Sequence, residues 1–118
     1  MTQQHYSGGC QCGAVRFEAD LDLASTVTCN CSRCQRLGSI LTFVPEAGFV
    51  LQQGNEALTE YRFNTKKVGH FFCATCGVEP FGRGASPTGA AMVAVNVRCL
   101  DGVDLKSLTP HEHDGASA

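Results

Sequence analysis

The stretch GGCQCGAVRFEAD, residues 8–20, carries two signals side by side. Cys10 and Cys12 stand one residue apart and are followed by Gly13, after which Val15 and Phe17 alternate with Arg16 and Glu18. Apolar and polar residues alternating with a period of two mark a strand with one buried face. A glycine just after a cysteine pair permits the left-handed turn that lets backbone amides point at the sulfurs. The same punctuation recurs at Cys73-Ala74-Thr75-Cys76-Gly77. A tetrahedral zinc takes four soft ligands, commonly as two close pairs from separate loops. The spacing therefore assigns Cys10, Cys12, Cys73 and Cys76 to one closed structural zinc site. Such a site ties the amino-terminal strand to a distant hairpin, across the sixty residues between Cys12 and Cys73.

Working outward, strand signals dominate. MVAVNVR sets Val93, Val95 and Val97 against Ala94, Asn96 and Arg98, and ILTFV and FVLQ add two short β runs. LTEYRF and VGHFF flank the polar tetrad Asn64-Thr65-Lys66-Lys67, which suits a hairpin loop. Thirteen glycines cut the 118 residues into short pieces, and no long segment keeps a helical period. An all-β chain is expected, with a turn or two of helix after Cys31. Pro80–Gly89, rich in glycine and proline, is expected to be a mobile or functional loop. The core is expected over about residues 7–104 of a single domain spanning 1–118, with a polar, poorly ordered tail from Thr109.

Composition excludes several function classes. A net charge of -2 with 17% charged residues gives no basic field to hold a phosphate backbone, so no nucleic acid partner is expected. No apolar run is long enough to span a bilayer, and MTQQHYSGG lacks the layout of a signal peptide, so the reading is cytoplasmic, with no membrane. In a reducing compartment, clustered cysteines speak for metal or redox chemistry rather than disulfides.

Three further cysteines, Cys29, Cys31 and Cys34, follow one another in TCNCSRCQ with no glycine behind them and no evident fourth partner. Three protein ligands and an open position is the general form of a catalytic zinc site. Alternatives remain: a redox role for Cys31 and Cys34 at C-x-x-C spacing, a fourth ligand from Cys99, or simple metal buffering. Cys99 itself reads as an ordinary buried thiol. His70, His111 and His113 invite a metal reading, but a histidine on a strand or in a tail is more often structural or solvated. Arg33 and Arg36 flank the cluster and are expected to face water. Phe43, Phe71, Phe72 and Phe81 read as core before they read as pocket lining.

GGCQCGAVRF, CNCSRCQRLGS and HFFCATCG, in this order and separation, resemble the glutathione-dependent formaldehyde-activating enzyme family over about Ser7–Asp104. The resemblance implies a zinc-stabilised, β-tent-like domain of short antiparallel sheets with two zincs per chain. Cys10, Cys12, Cys73 and Cys76 would hold the structural ion, and Cys29, Cys31 and Cys34 the open, catalytic one. The implied activity is carbon–sulfur lysis on a thiol–aldehyde adduct, the substrate S-hydroxymethylglutathione, with glutathione and formaldehyde as partners. The Gly-rich stretch near Arg83 is expected to help hold an anionic substrate. Asn30 departs from the family, which commonly has histidine there. The end at Ala118, without the aromatic residues common near the end of relatives, is expected to leave part of a substrate wall either absent or supplied by a second chain, as in a homodimer. The rival class is a non-catalytic, zinc-braced protein-binding module.

Overall fold

The structure is a computed structural model describing residues 3–63 and 67–117. Among the described residues the strands in chain order are β1 (Gln4–Gly9), β2 (Arg16–Leu21), β3 (Val27–Cys29), β4 (Leu41–Pro45), β5 (Phe49–Gln53), β6 (Leu58–Tyr61), β7 (Gly69–Cys73), β8 (Phe81–Ala85), β9 (Ala91–Asn96) and β10 (His111–His113). One short α-helix, α1 (Ser32–Leu37), follows β3. Strands β1-β2-β5 form a three-stranded sheet, and β10-β3-β4-β9-β8-β7-β6 a seven-stranded one. All pairings are antiparallel except β10 with β3, which is parallel. The expected hairpin loop at Asn64-Thr65-Lys66-Lys67 falls on positions 64–66, outside the described residues.

The alternation in the quoted stretch decides the packing. Phe17, Ala19 and Leu21 of β2 are buried on one face, where they meet Phe49 of β5 and, from the larger sheet, Phe81, Val93, Val95 and Val44. Phe49 joins the two layers: its ring lies 5.2 Å from Phe17 and 4.8 Å from Phe81. Offset and tilted rings at such distances add to the burial of their large apolar area. The other face of the larger sheet is built by register. Phe43 pairs with Ala94, Ala94 with Gly82, and Gly82 with His70, so these four lie in one row across β4, β9, β8 and β7.

Two expectations are corrected. Pro80–Gly89 is not a loop throughout, because Phe81–Ala85 is β8, paired on both edges. Phe81 is buried and anchors the strand, while Gly82 and Gly84 are accommodated between flanking strands. Ladder bonds on two sides and core packing override the weak β propensity of glycine. The turn is confined to Ser86–Ala90, with Gly89 at φ 90. The tail beyond Thr109 is not unpaired either, since His111–His113 adds a strand to β3. Its main-chain donors and acceptors find partners that its polar side chains do not announce.

Phe17 has no exposed surface. Truncating it leaves a cavity between the sheets, and Phe17→Ala should lower the unfolding free energy by about 3–5 kcal/mol in chemical denaturation. A second prediction concerns the outer face of β1 and β2. His5 Nδ1 lies 2.7 Å from Asp20 and Nε2 2.9 Å from Glu18, and the hydrogen bond to Asp20 first, then that to Glu18, raises its pKa above 6.5. The resulting stabilisation is complete below the unfolded value and is lost as pH rises through the raised folded one. An NMR titration should place the His5 midpoint above 6.5, and Asp20→Asn should lower it.

Candidate functional site

The four cysteines of the matched pairs converge. Cys10 and Cys12 occupy the turn between β1 and β2, while Cys73 ends β7 and Cys76 lies in the turn that leads to β8. Their sulfurs all lie within 4.8 Å of one another, with Cys12 Sγ at 3.7 Å from both Cys10 Sγ and Cys73 Sγ. The two turns are built alike. Gly13 and Gly77 have φ of 83 and 80, Cys10 N–H donates to Val15 O, and Cys73 N–H donates to Val78 O. Backbone N–H groups point at the sulfurs, Val15 N–H to Cys10 at 3.3 Å and Thr75 N–H to Cys73 at 3.4 Å. The N–H of Val78, then that of Cys12, helps bring the Cys76 thiol down to about 6. Amides aimed at sulfur favour the thiolate, the form that binds metal.

Cys29, Cys31 and Cys34 form the second cluster, again with sulfurs within 4.8 Å. Cys29 ends β3, Cys31 caps α1 by accepting from Cys34 N–H at 3.3 Å, and Cys31 N–H donates to Cys29 Sγ at 3.4 Å. The cluster thus arises from a strand end and one helical turn, which C-x-C-x-x-C spacing serves well. Burial pushes Cys34 up to about 12, and the close Cys31 sulfur adds to this. A divalent cation bound beside these sulfurs would displace the thiol proton and stabilise the thiolate. Both clusters could therefore hold metal ions, and sulfur donors in sets of four and three suit zinc.

The second cluster opens on a cavity of about 450 Å³ on the outer face of the larger sheet. His70 and Glu79 share its lining. Glu79 is 8% exposed and accepts from Arg33 Nε at 3.0 Å and Nη2 at 2.7 Å. Its other oxygen lies 3.4 Å from His70 Nδ1, and His70 stacks on Phe63. Arg33 is therefore not turned to water: it sits over the Tyr61 ring at 4.9 Å and neutralises a buried carboxylate. Arg36 is exposed and bonds Ser32 O. Glu79 escaped the reading of the sequence, although an acid between Val78 and Pro80-Phe81 is a charge in an apolar run and thus a signal.

Other expected residues fall elsewhere. Arg83 lies over Phe49 and Phe81 and 3.6 Å from Glu46, and Gly82 of the same strand lines the cavity instead. The alternation of side chains along β8 separates the two. Cys99 belongs to neither cluster. Its Sγ is 3.7 Å from Glu79 O, and burial, ahead of nearby charge, raises it to about 12. Of the four phenylalanines, Phe81 is core, Phe71 packs on the core, Phe72 faces Arg33, and Phe43 lines the cavity. His111 and His113 reach the cavity lining through β10.

Asn30 has a structural role here. Its Nδ2 donates to Asp114 at 3.0 Å, its Oδ1 accepts from Ala116 N–H at 2.9 Å, and its own N–H donates to His113 O. These bonds strap the tail against the cysteine triple, so closely that a Cβ on Gly115 would lie 2.5 Å from Cys29 Sγ.

An all-β chain with two cysteine clusters able to hold metal, one at a cavity, is the class this geometry defines. A family model described as glutathione-dependent formaldehyde-activating enzyme matches residues 5–114. The chain belongs to that family. Among solved structures it is similar to the crystal structure of a Rhodobacter sphaeroides protein determined as a structural-genomics target, with 33% sequence identity and a TM-score of 0.80. The match covers 90% of this chain and 97% of that one. Among the described residues no helix is long and apolar enough to cross a membrane.

Asn30→Ala should release the strap. Hydrogen exchange at the Ala116 amide is expected to accelerate at least about tenfold, since its acceptor is lost. Exchange in β9 should be unchanged.

Proposed function

We propose that this protein forms and splits thiol–aldehyde adducts as a zinc-dependent carbon–sulfur lyase, with S-hydroxymethylglutathione as the family's model substrate. Cys10, Cys12, Cys73 and Cys76 hold a structural zinc, and Cys29, Cys31 and Cys34 a second one. The observation that carries this reading is the three-sulfur cluster facing a cavity, since an open coordination position is useful only where a small molecule can reach it. Family membership supplies the chemistry to which the position is put.

Zinc at such a site supplies Lewis acidity, which favours a bound thiol as thiolate or draws charge from a carbonyl oxygen. The chain's own residues do the rest. The amides of Cys31 and Cys34 stabilise negative sulfur. When thiol and aldehyde join, a sulfur–carbon bond forms, the carbonyl π pair moves to oxygen, and the thiol proton ends on that oxygen. His70, oriented by Glu79, is a side chain at the cavity that can take and return this proton. Glu79 in turn is held in place by two hydrogen bonds from Arg33. A site closed by Cys99 would have favoured a purely bracing role, and Cys99 instead lies against the Glu79 carbonyl.

Elemental analysis of gently purified protein should give two zincs per chain. Cys31→Ser should reduce this to one, with the circular dichroism of the fold retained. The same variant should bring exchange of the formaldehyde–glutathione adduct, followed by exchange NMR, down to the uncatalysed rate. Wild-type acceleration in Cys31→Ser would sink the proposal.

A further inference from the structure

The hollow above the cysteine triple is larger and more apolar than formaldehyde requires. Across the row Phe43, Ala94, Gly82 and His70, the two middle residues are the smallest available, and the sheet surface sinks between the outer two. A Cβ on Gly82 would meet the Gly69 carbonyl at 3.1 Å besides filling the floor. Val27, Leu41, Phe63 and Val68 complete the apolar lining. Phe43 and Val68 are 52% and 43% exposed, so large apolar side chains are held toward solvent around a concave site. The cavity volume of about 450 Å³ compares with roughly 30 Å³ for one water in the liquid, and formaldehyde has two heavy atoms. It lies within the range of sites that enclose whole organic ligands.

Glutathione does not account for these walls. Its carboxylates and ammonium group would lose hydration against Leu41, Phe43 and Val68 without gaining partners there. We infer that the cavity receives the carbon chain of an aldehyde larger than formaldehyde, aliphatic or aryl, whose carbonyl carbon is brought to the cysteine triple. This inference rests on the thiol–aldehyde reading of the site and names its substrate class. The reaction stays balanced as addition: the thiol sulfur bonds the carbonyl carbon, the π pair goes to oxygen, and the thiol proton follows it. Burial of methylenes against the sheet supplies the selectivity, about fourfold in affinity for each.

The test uses the full chain loaded with zinc and a series of unreactive primary amides, acetamide, butanamide and hexanamide, titrated by NMR. Affinity should rise roughly fourfold per methylene, with shifts at Phe43, Val68 and Ala94. Phe43→Ser, at an exposed position, and Ala94→Leu, which fills the floor, should each weaken hexanamide about tenfold while the circular dichroism is retained. In parallel, adduct exchange with glutathione is followed for formaldehyde and for hexanal, and hexanal should be accelerated more. Equal affinity along the amide series would overturn the inference. So would acceleration of formaldehyde without preference for hexanal, an outcome that leaves the lyase reading standing. Chain-dependent amide binding with both aldehydes at the uncatalysed rate would uphold the cavity's ligand class and sink the lyase reading instead.

Discussion

The convergence of four cysteine sulfurs from two glycine-terminated turns is the constraint on which the rest of the molecule depends. One turn joins β1 to β2 in the smaller sheet, and the other joins β7 to β8 in the larger. Holding them within 4.8 Å fixes the two layers at one edge. Val15, with no exposed surface, packs between the turns together with Cys10 and Cys73, so the clasp is also a small apolar core. A metal held by all four sulfurs would close a long loop and so remove many conformations of the unfolded chain.

From that clasp the larger sheet is held with one face on Phe17 and Phe49 and its other face open. The open face carries the cavity and the three-cysteine cluster. β3 brings Cys29 to the sheet margin, α1 returns Cys31 and Cys34 to it, and the carboxylate of Glu79 spans Arg33 and His70 beneath. Glu79 lies three residues after Cys76, so the turn that closes the first cluster also delivers a charge to the second. A buried carboxylate is tolerable because Arg33 is bonded to it through two nitrogens, and that pairing also fixes the direction of α1. The four-cysteine and three-cysteine clusters are thus linked through one short run of chain.

The tail gives the site its remaining wall. β10 runs parallel to β3, and Asn30, in the middle of the cysteine triple, bonds the tail at three points. Asn30 is occupied here in fastening the segment from His113 to Ala116. His113 is placed opposite Cys29 by the strand register.

What the sequence determined by itself is what local spacing controls. Alternation of Val15 and Phe17 with Arg16 and Glu18 specified a buried strand face. The glycines after Cys12 and Cys76 specified two like turns, and C-x-C-x-x-C specified a three-cysteine cluster with a short helix after Cys31. These are interactions between residues near in sequence, and pattern reads them directly. Glycine and proline at Pro80–Gly89 pointed to a loop, and the polar tail to disorder, because local propensity was the only guide there. Only the tertiary structure decided that Phe81–Ala85 is a central strand, that His111–His113 pairs with β3, and that Gly82 and Ala94 hollow a cavity between Phe43 and His70. Each of these depends on partners distant along the chain, whose ladder bonds and buried area outweigh the preference of any single residue.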